Sequence, residues 1–191
     1  MKRFLPVTAL VLSVLLLLLA VAPGVTKAQA ITGSQYSVTA QNSTDNLCIA
    51  FCKQRIGENI SSTSVEIGRT VNNVTVKLAK VGSPTGTLYV TVRDSIDNLV
   101  LLLGTKNVST LTTTMTFYSF HNSTAFRTFQ AGDKVLVEYN GPGRVTIGFN
   151  SIDAYDGQNT YYLKYLGAPY TNPPIYIRGT GDLTGIWSYV P

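Results

Sequence analysis

Asp153, Asp156 and Asn159 put two carboxylates and a carboxamide within the seven residues Asp153-Ala154-Tyr155-Asp156-Gly157-Gln158-Asn159. Oxygen donors at that density are what a calcium ion takes, about six to eight at a time from carboxylates, amides and backbone carbonyls. The spacing does not follow the EF-hand pattern, so further ligands would have to fold in from elsewhere. The same residues are ordinary turn formers, because Asp and Asn bond their own backbone and tolerate left-handed angles. The stretch is read as a turn that is also a candidate site for a structural calcium.

Tyrosine crowds the C-terminal end: Tyr155, Tyr161, Tyr162, Tyr165, Tyr170, Tyr176 and Tyr189, with Trp187. A phenol offers a ring face and a hydrogen bond at one place, which suits a sugar ring. Tyr155, Tyr162, Tyr170 and Tyr176 are therefore candidate ligand-binding residues for carbohydrate. Aromatics are equally favoured in strands and cores. Tyr161 and Tyr165 fall on one face of an extended chain and Tyr162 and Lys164 on the other, so one of these faces must be core.

Catalytic constellations are missing from the pattern. His121 is the sole histidine, in His121-Asn122-Ser123 at what reads as a strand end. No serine sits in a Gly-x-Ser-x-Gly elbow, and nothing in the spacing pairs Glu58, Glu66 or Glu138 with another carboxylate for glycoside hydrolysis. No phosphate-cradling loop or dinucleotide fingerprint is present. No catalytic residue is assigned, and the chain is expected not to be an enzyme.

Residues 1–30 address the chain for export. Lys2 and Arg3 precede an apolar run from Phe4 to about Val21, and Ala28-Gln29-Ala30 is a small-x-small triplet of the kind signal peptidase cuts after. The run is at the short end for spanning a bilayer, so the segment reads as a signal peptide whose removal leaves a mature chain from near Ile31. That chain is expected outside the cell or on its surface, with no membrane anchor. Lys2, Arg3 and Lys27 leave with the signal, so 15 basic residues become 12 against 10 acidic, a net charge of +2. Such a balance gives no footprint for nucleic acid.

An exported chain meets oxidising conditions, and Cys48 and Cys52 are the only cysteines. Four positions of extended strand would separate their Cα atoms by roughly 13 Å, beyond the roughly 7 Å a disulfide allows. A disulfide therefore predicts a turn at Ile49-Ala50-Phe51, while two thiols suit a strand; the bridge is the favoured expectation. Asn42, Asn59, Asn73, Asn107 and Asn122 each open an Asn-x-Ser/Thr sequon and are candidate glycosylation sites. Asn73 must face solvent to be modified.

From Thr70 onward the alternation is that of strands. Val74, Val76 and Leu78 alternate with Thr75 and Lys77, and Leu88, Val90 and Val92 with Tyr89, Thr91 and Arg93. Leu99 to Leu103 is wholly apolar and reads as a strand buried on both faces. Asn140-Gly141-Pro142-Gly143 reads as a hairpin turn between Lys134–Tyr139 and a strand carrying Val145, Ile147 and Phe149. Further strands are expected near Tyr161–Tyr165, Pro174–Arg178 and Leu183–Val190, and Val108–Leu111 is the one short helical stretch. Short strands joined by Gly, Pro, Asn and Asp turns predict an all-β antiparallel β-sandwich, a jelly roll. It would span residues 47–191, behind an N-terminal arm or edge strand at 31–46.

Val81-Gly82-Ser83-Pro84-Thr85-Gly86-Thr87, Ser109-Thr110-Leu111-Thr112-Thr113, Gln130-Ala131-Gly132-Asp133-Lys134 and Tyr155-Asp156-Gly157-Gln158-Asn159-Thr160-Tyr161 occur in that order. This resembles the secreted jelly-roll domains of archaeal and bacterial surface proteins termed choice-of-anchor domains, and Lys53 to Gly57 resembles the archaeal single-domain versions. The resemblance runs from about Asp45 to the C-terminus and implies an architecture similar to non-catalytic carbohydrate-binding modules. Two functions follow as expectations. One is a secreted or cell-surface binding module for glycans or other surface proteins. The other is a structural subunit of a filament or surface layer, assembled when residues 32–40 of one copy complete a neighbour's sheet.

Overall fold

The computed structural model describes residues 35–38, 41, 43–48, 54–150, 160–164, 176–180 and 182–190. Residues 1–30, read above as a signal peptide, and Asn42, Cys52, Tyr155, Tyr170 and the Asp153–Asn159 stretch lie outside these residues. The strands are β1 (Gln35–Val38), β2 (Ser43–Leu47), β3 (Arg55–Asn59), β4 (Thr70–Val81), β5 (Thr87–Arg93), β6 (Leu99–Asn107) and β7 (Thr116–His121). They continue as β8 (Arg127–Thr128), β9 (Lys134–Glu138), β10 (Arg144–Asn150), β11 (Thr160–Lys164), β12 (Tyr176–Thr180), β13 (Asp182–Leu183) and β14 (Gly185–Tyr189). Val108–Thr110 forms one turn of 3-10 helix, capped by the Asn107 side chain. No helix among the described residues is long and apolar enough to cross a membrane.

These strands make two antiparallel sheets. One has eight strands in the order β1-β14-β4-β10-β13, with β2 on β10 and both β7 and β8 on β4; the other has six, in the order β12-β11-β3-β9-β5-β6. The twelve-residue β4 is the spine of the first. It pairs with β7 and β8 on one side, and with β14 and then β10 on the other. β1 and β2 line the far edge, on β14 and β10 respectively. The stretch read as an arm or edge strand thus holds two edge strands paired within their own chain.

Period-two alternation decides what is buried. Val74, Val76 and Leu78 of β4 face Ile56 of β3, Leu88, Val90 and Val92 of β5, and Val135 and Val137 of β9, in one core around Trp187. The register of β14 on β4 slips between Ser188 and Tyr189, which leaves Asn72 as an extra residue and turns both Val71 and Val74 inward. This is a β-bulge.

Two readings of the sequence are corrected. Asn140–Gly143 is not a hairpin: β9 belongs to the six-stranded sheet and β10 to the eight-stranded one, so the turn carries the chain across the core. Gly and Pro dictate reversal, not whether the flanking strands then pair. Leu99–Leu103 is not buried on both faces. β6 is the last strand of its sheet; Leu101 and Leu103 are buried, while Leu99, Val100 and Leu102 are exposed. An apolar run says how much a strand could bury, and its place in the sheet decides how much it does.

Candidate functional site

The six-stranded sheet turns one face to the core and the other away from it, and backbone register assigns residues to the outer face in rows. One row runs Tyr176, Lys164, Arg55, Glu138, Tyr89 and Thr105 across β12, β11, β3, β9, β5 and β6. The next runs Arg178, Tyr162, Gly57, Leu136, Thr91 and Leu102. Two of the four candidate tyrosines, Tyr162 and Tyr176, thus come to adjacent positions of one face, beside Lys164 and Arg178. Tyr89, which alternation had already put on the polar side of β5, is exposed on the same face.

Gly57 is fixed by its neighbours. A Cβ there would stand 1.9 Å from the Val135 carbonyl oxygen and 2.9 Å from the Leu136 Cα, far inside van der Waals contact. The position opposite Tyr162 therefore carries no side chain, and Gly57 and Leu136 beside it are both buried.

Glu138 centres the charged half of the face. Its Oε1 accepts from Arg93 Nε at 2.8 Å and from the Thr91 hydroxyl at 2.5 Å, and its Oε2 accepts from Arg55 Nε at 2.8 Å. Arg55 reaches on to Asp97 Oδ2 at 2.8 Å, and Arg93 donates to the Asp97 carbonyl at 2.9 Å. Asp97 sits at φ 75° in the β5–β6 turn, a region Asp tolerates better than most residues. Burial pushes the Glu138 carboxyl up, but hydrogen bonds from Arg93 and Thr91 and the charges of Arg55 and Arg93 outweigh it, holding the group below the usual glutamate range. A carboxylate so fully bonded stays ionised and works as a tie between three strands and a turn.

A second carboxylate cluster lies inside the core. Glu58 and Glu66 are both 0% exposed. Glu58 Oε2 accepts from the Leu183 N–H at 3.1 Å, Glu66 Oε1 accepts from the Tyr189 hydroxyl at 2.7 Å, and the Arg69 guanidinium lies 5.5 Å from the centre of the Tyr189 ring. Neither carboxylate meets solvent. Their bonds close the C-terminal strands onto the core.

His121 ends β7 on the surface, with its Nε2 3.3 Å from Asn72 Nδ2. Among the described residues no group of three or more His, Cys, Asp or Glu side chains is placed to hold a metal ion. Cys48 is buried just after β2, at the start of the seven-residue connection to β3, and the Gln54 amide at its other end donates to the Cys48 carbonyl at 3.4 Å.

The sequons separate by setting. Asn59 ends β3 between Thr160 and Lys134, and Asn73 lies within β4 between His121 and Ser188, its Oδ1 accepting from the Ser119 hydroxyl at 3.0 Å. Asn73 is half-buried. Asn107 and Asn122 instead sit in side-chain turns. Asn107 Oδ1 accepts from Ser109 N and Oγ at 3.0 and 2.9 Å, and Asn122 Oδ1 from Thr124 N and Oγ1 at 2.9 and 3.2 Å.

The residues that sequence reasoning missed are Arg55, Arg93, Asp97 and Glu138, and the bonds of the buried Glu58 to Leu183 and of Glu66 to Tyr189. One signal was available: Glu58 is two positions from Ile56, on the apolar face of β3. Comparison with protein-family models, with curated proteins and with solved structures finds no match to this chain.

Proposed function

We propose that the chain is a secreted, non-catalytic β-sandwich module of jelly-roll type, similar to choice-of-anchor domains, that binds carbohydrate at the cell surface through the outer face of its six-stranded sheet. The observation that carries this reading is the register placing Tyr162 and Tyr176 on one face with Lys164 and Arg178, across from the side-chain-free Gly57. Aromatic residues beside long donors suit the alternating apolar and hydroxyl surfaces of a sugar chain. The Asp153, Asp156 and Asn159 loop precedes β11 directly, so a structural calcium held there would brace the strand that carries Tyr162. A Cys48–Cys52 bridge belongs to the same reading, since Cys48 lies just past the end of β2, where a turn can begin.

Affinity electrophoresis of residues 31–191 through gels containing soluble polysaccharides tests the proposal, with calcium and with chelator. Retention that is lost in Tyr162→Ala/Tyr176→Ala supports it; free migration through every polysaccharide overturns it. Retention that falls with chelator assigns the calcium loop a part. A mass gain of two hydrogens on reduction of the unfolded chain identifies the bridge.

One observation favours assembly as the second reading. β1 lies at the edge of its sheet, with β14 as its one strand partner among the described residues, so it can leave one copy and pair with another. Light scattering on the mature chain and on a chain trimmed of residues 31–46 decides it: large species that become monomeric on trimming favour the subunit.

A further inference from the structure

The edge strand β6 carries a hazard. Leu99, Val100 and Leu102 are 52%, 36% and 39% exposed on the last strand of a sheet. Unpaired backbone groups beside apolar side chains are a template for pairing with another chain, and edges are ordinarily guarded by charge, proline or a cover. Leu99 to Gly104 contains no charge and no proline. Lys106 lies further along, with its ammonium 4.8 Å from the centre of the Tyr118 ring.

Two sequons stand along this edge. Asn107 is the last residue of β6 and is exposed. Asn122 Nδ2 donates to the Leu102 carbonyl at 2.8 Å, midway along the strand. We propose that, of the four sequons among the described residues, Asn107 and Asn122 are the glycosylated ones, and that their glycans shield the open edge of β6 from a second copy. The proposal rests on the export reading, because the sugar is added along that route.

The chemistry fits both sites. Nδ2 attacks the anomeric carbon of a polyprenyl-phosphate-linked oligosaccharide, the C–O bond to phosphate breaks, one Nδ2 proton is lost and the lipid phosphate departs. At each site the hydroxyl of the residue two positions on, Ser109 or Thr124, donates to the carboxamide oxygen, which makes the Nδ2 proton easier to lose and shapes the local turn. A primary carboxamide has two N–H hydrogens. After transfer Asn122 keeps one, which can still bond the Leu102 carbonyl and hold the sugar against β6. Asn59 and Asn73 lie instead in strands paired on both sides, with no such turn.

The test expresses the full chain with its leader in a host that modifies Asn-x-Ser/Thr, then maps glycopeptides by mass spectrometry and measures size by light scattering. Sugar is expected on Asn107 and Asn122 and not on Asn59 or Asn73. Ser109→Ala/Thr124→Ala, which keeps both asparagines, should turn a monomer into species that grow with concentration. Bare Asn107 and Asn122, or a variant that stays monomeric, overturns the proposal. A chain retained in the cell with its leader uncut defeats the export reading instead. The mature chain made without sugar then decides the shielding idea: it should self-associate, and Val100→Lys/Leu102→Lys should restore the monomer. An unglycosylated monomer, or association that survives the lysines, overturns it.

Discussion

The Tyr139 hydroxyl lies 2.8 Å from the Thr85 carbonyl oxygen and 2.6 Å from that of Pro142, so one phenol ties together the two turns that carry the chain between sheets. Thr85 N also donates to Pro142 O at 3.2 Å. Tyr139→Phe keeps the buried ring and removes the one proton both carbonyls share. Because Pro142 retains the Thr85 N–H, the loss should be about 1–2 kcal/mol, lowering Tm by about 2–8 °C for a domain of this size. Thermal melts of the two proteins check it; equal Tm values would show that the turns hold without the phenol.

Gly57→Ala tests the close approach of β3 to β9. The new methyl has backbone on its far side, Val135 O at 1.9 Å, and backbone cannot rotate away as a side-chain tip would. The strands must separate, at a cost of about 3 kcal/mol or more, the upper end of overpacking penalties. A large fall in Tm or soluble yield is expected, whereas Gly104→Ala, with its nearest neighbour the Phe120 side chain at 3.4 Å, should change Tm far less. Equal effects at the two glycines would count against the close approach of β3 to β9.

What the sequence made legible, and what it hid, follows from the range of the interactions. Alternation along β4, β5 and β10 is local, so Val74, Leu88 and Ile147 could be assigned to the core from their neighbours alone. Pairing is not local: the same turn chemistry that makes Asp94–Asn98 a hairpin makes Asn140–Gly143 a bridge between sheets. The bulge at Asn72 breaks the period of two where no glycine announces it. Glu138 lies 83 residues from Arg55 and 45 from Arg93, so no spacing rule finds its partners. Tyr162 and Tyr176 were visible as aromatic residues; that they share a face with Lys164 and Arg178 depends on the register of β11 with β12 and β3.

Glu138 gives stability a defined acid dependence. Its folded carboxyl is held below the ordinary value of about 4.5, so the contribution is fully present above that value and fades as pH falls through the lower folded one. At neutral pH Glu138→Gln should cost about 2 kcal/mol. That is less than the about 3–5 for breaking a fully buried pair, because both guanidiniums keep some solvent contact and Arg55 keeps Asp97. Denaturant unfolding at a series of pH values should show the gap between the two proteins closing as pH drops below about 4. A gap that stays constant through that range would assign the effect to packing and not to charge.

Tyr189 gives the opposite dependence at the alkaline end. Burial, then the charge of Glu66 and its hydrogen bond, then the charge of Glu58, push its phenol well above the ordinary tyrosine value, and Arg69 only partly offsets them. A group whose folded pKa is raised contributes stability that is complete below its unfolded value of about 10 and is lost as pH rises past it, because the unfolded chain then ionises and the folded one does not. Tyr189→Phe should cost about 1–3 kcal/mol near neutrality, since Glu66 loses the Tyr189 hydroxyl as a donor inside the core. The difference from the parent protein should shrink between about pH 9 and about pH 11, because the variant has no proton to lose there. Phenolate absorbance gives a second reading: at about pH 11 unfolding of the parent should release one phenolate more than unfolding of Tyr189→Phe. An equal release, with a stability gap that does not change with pH, would mean that this phenol reaches water in the folded protein.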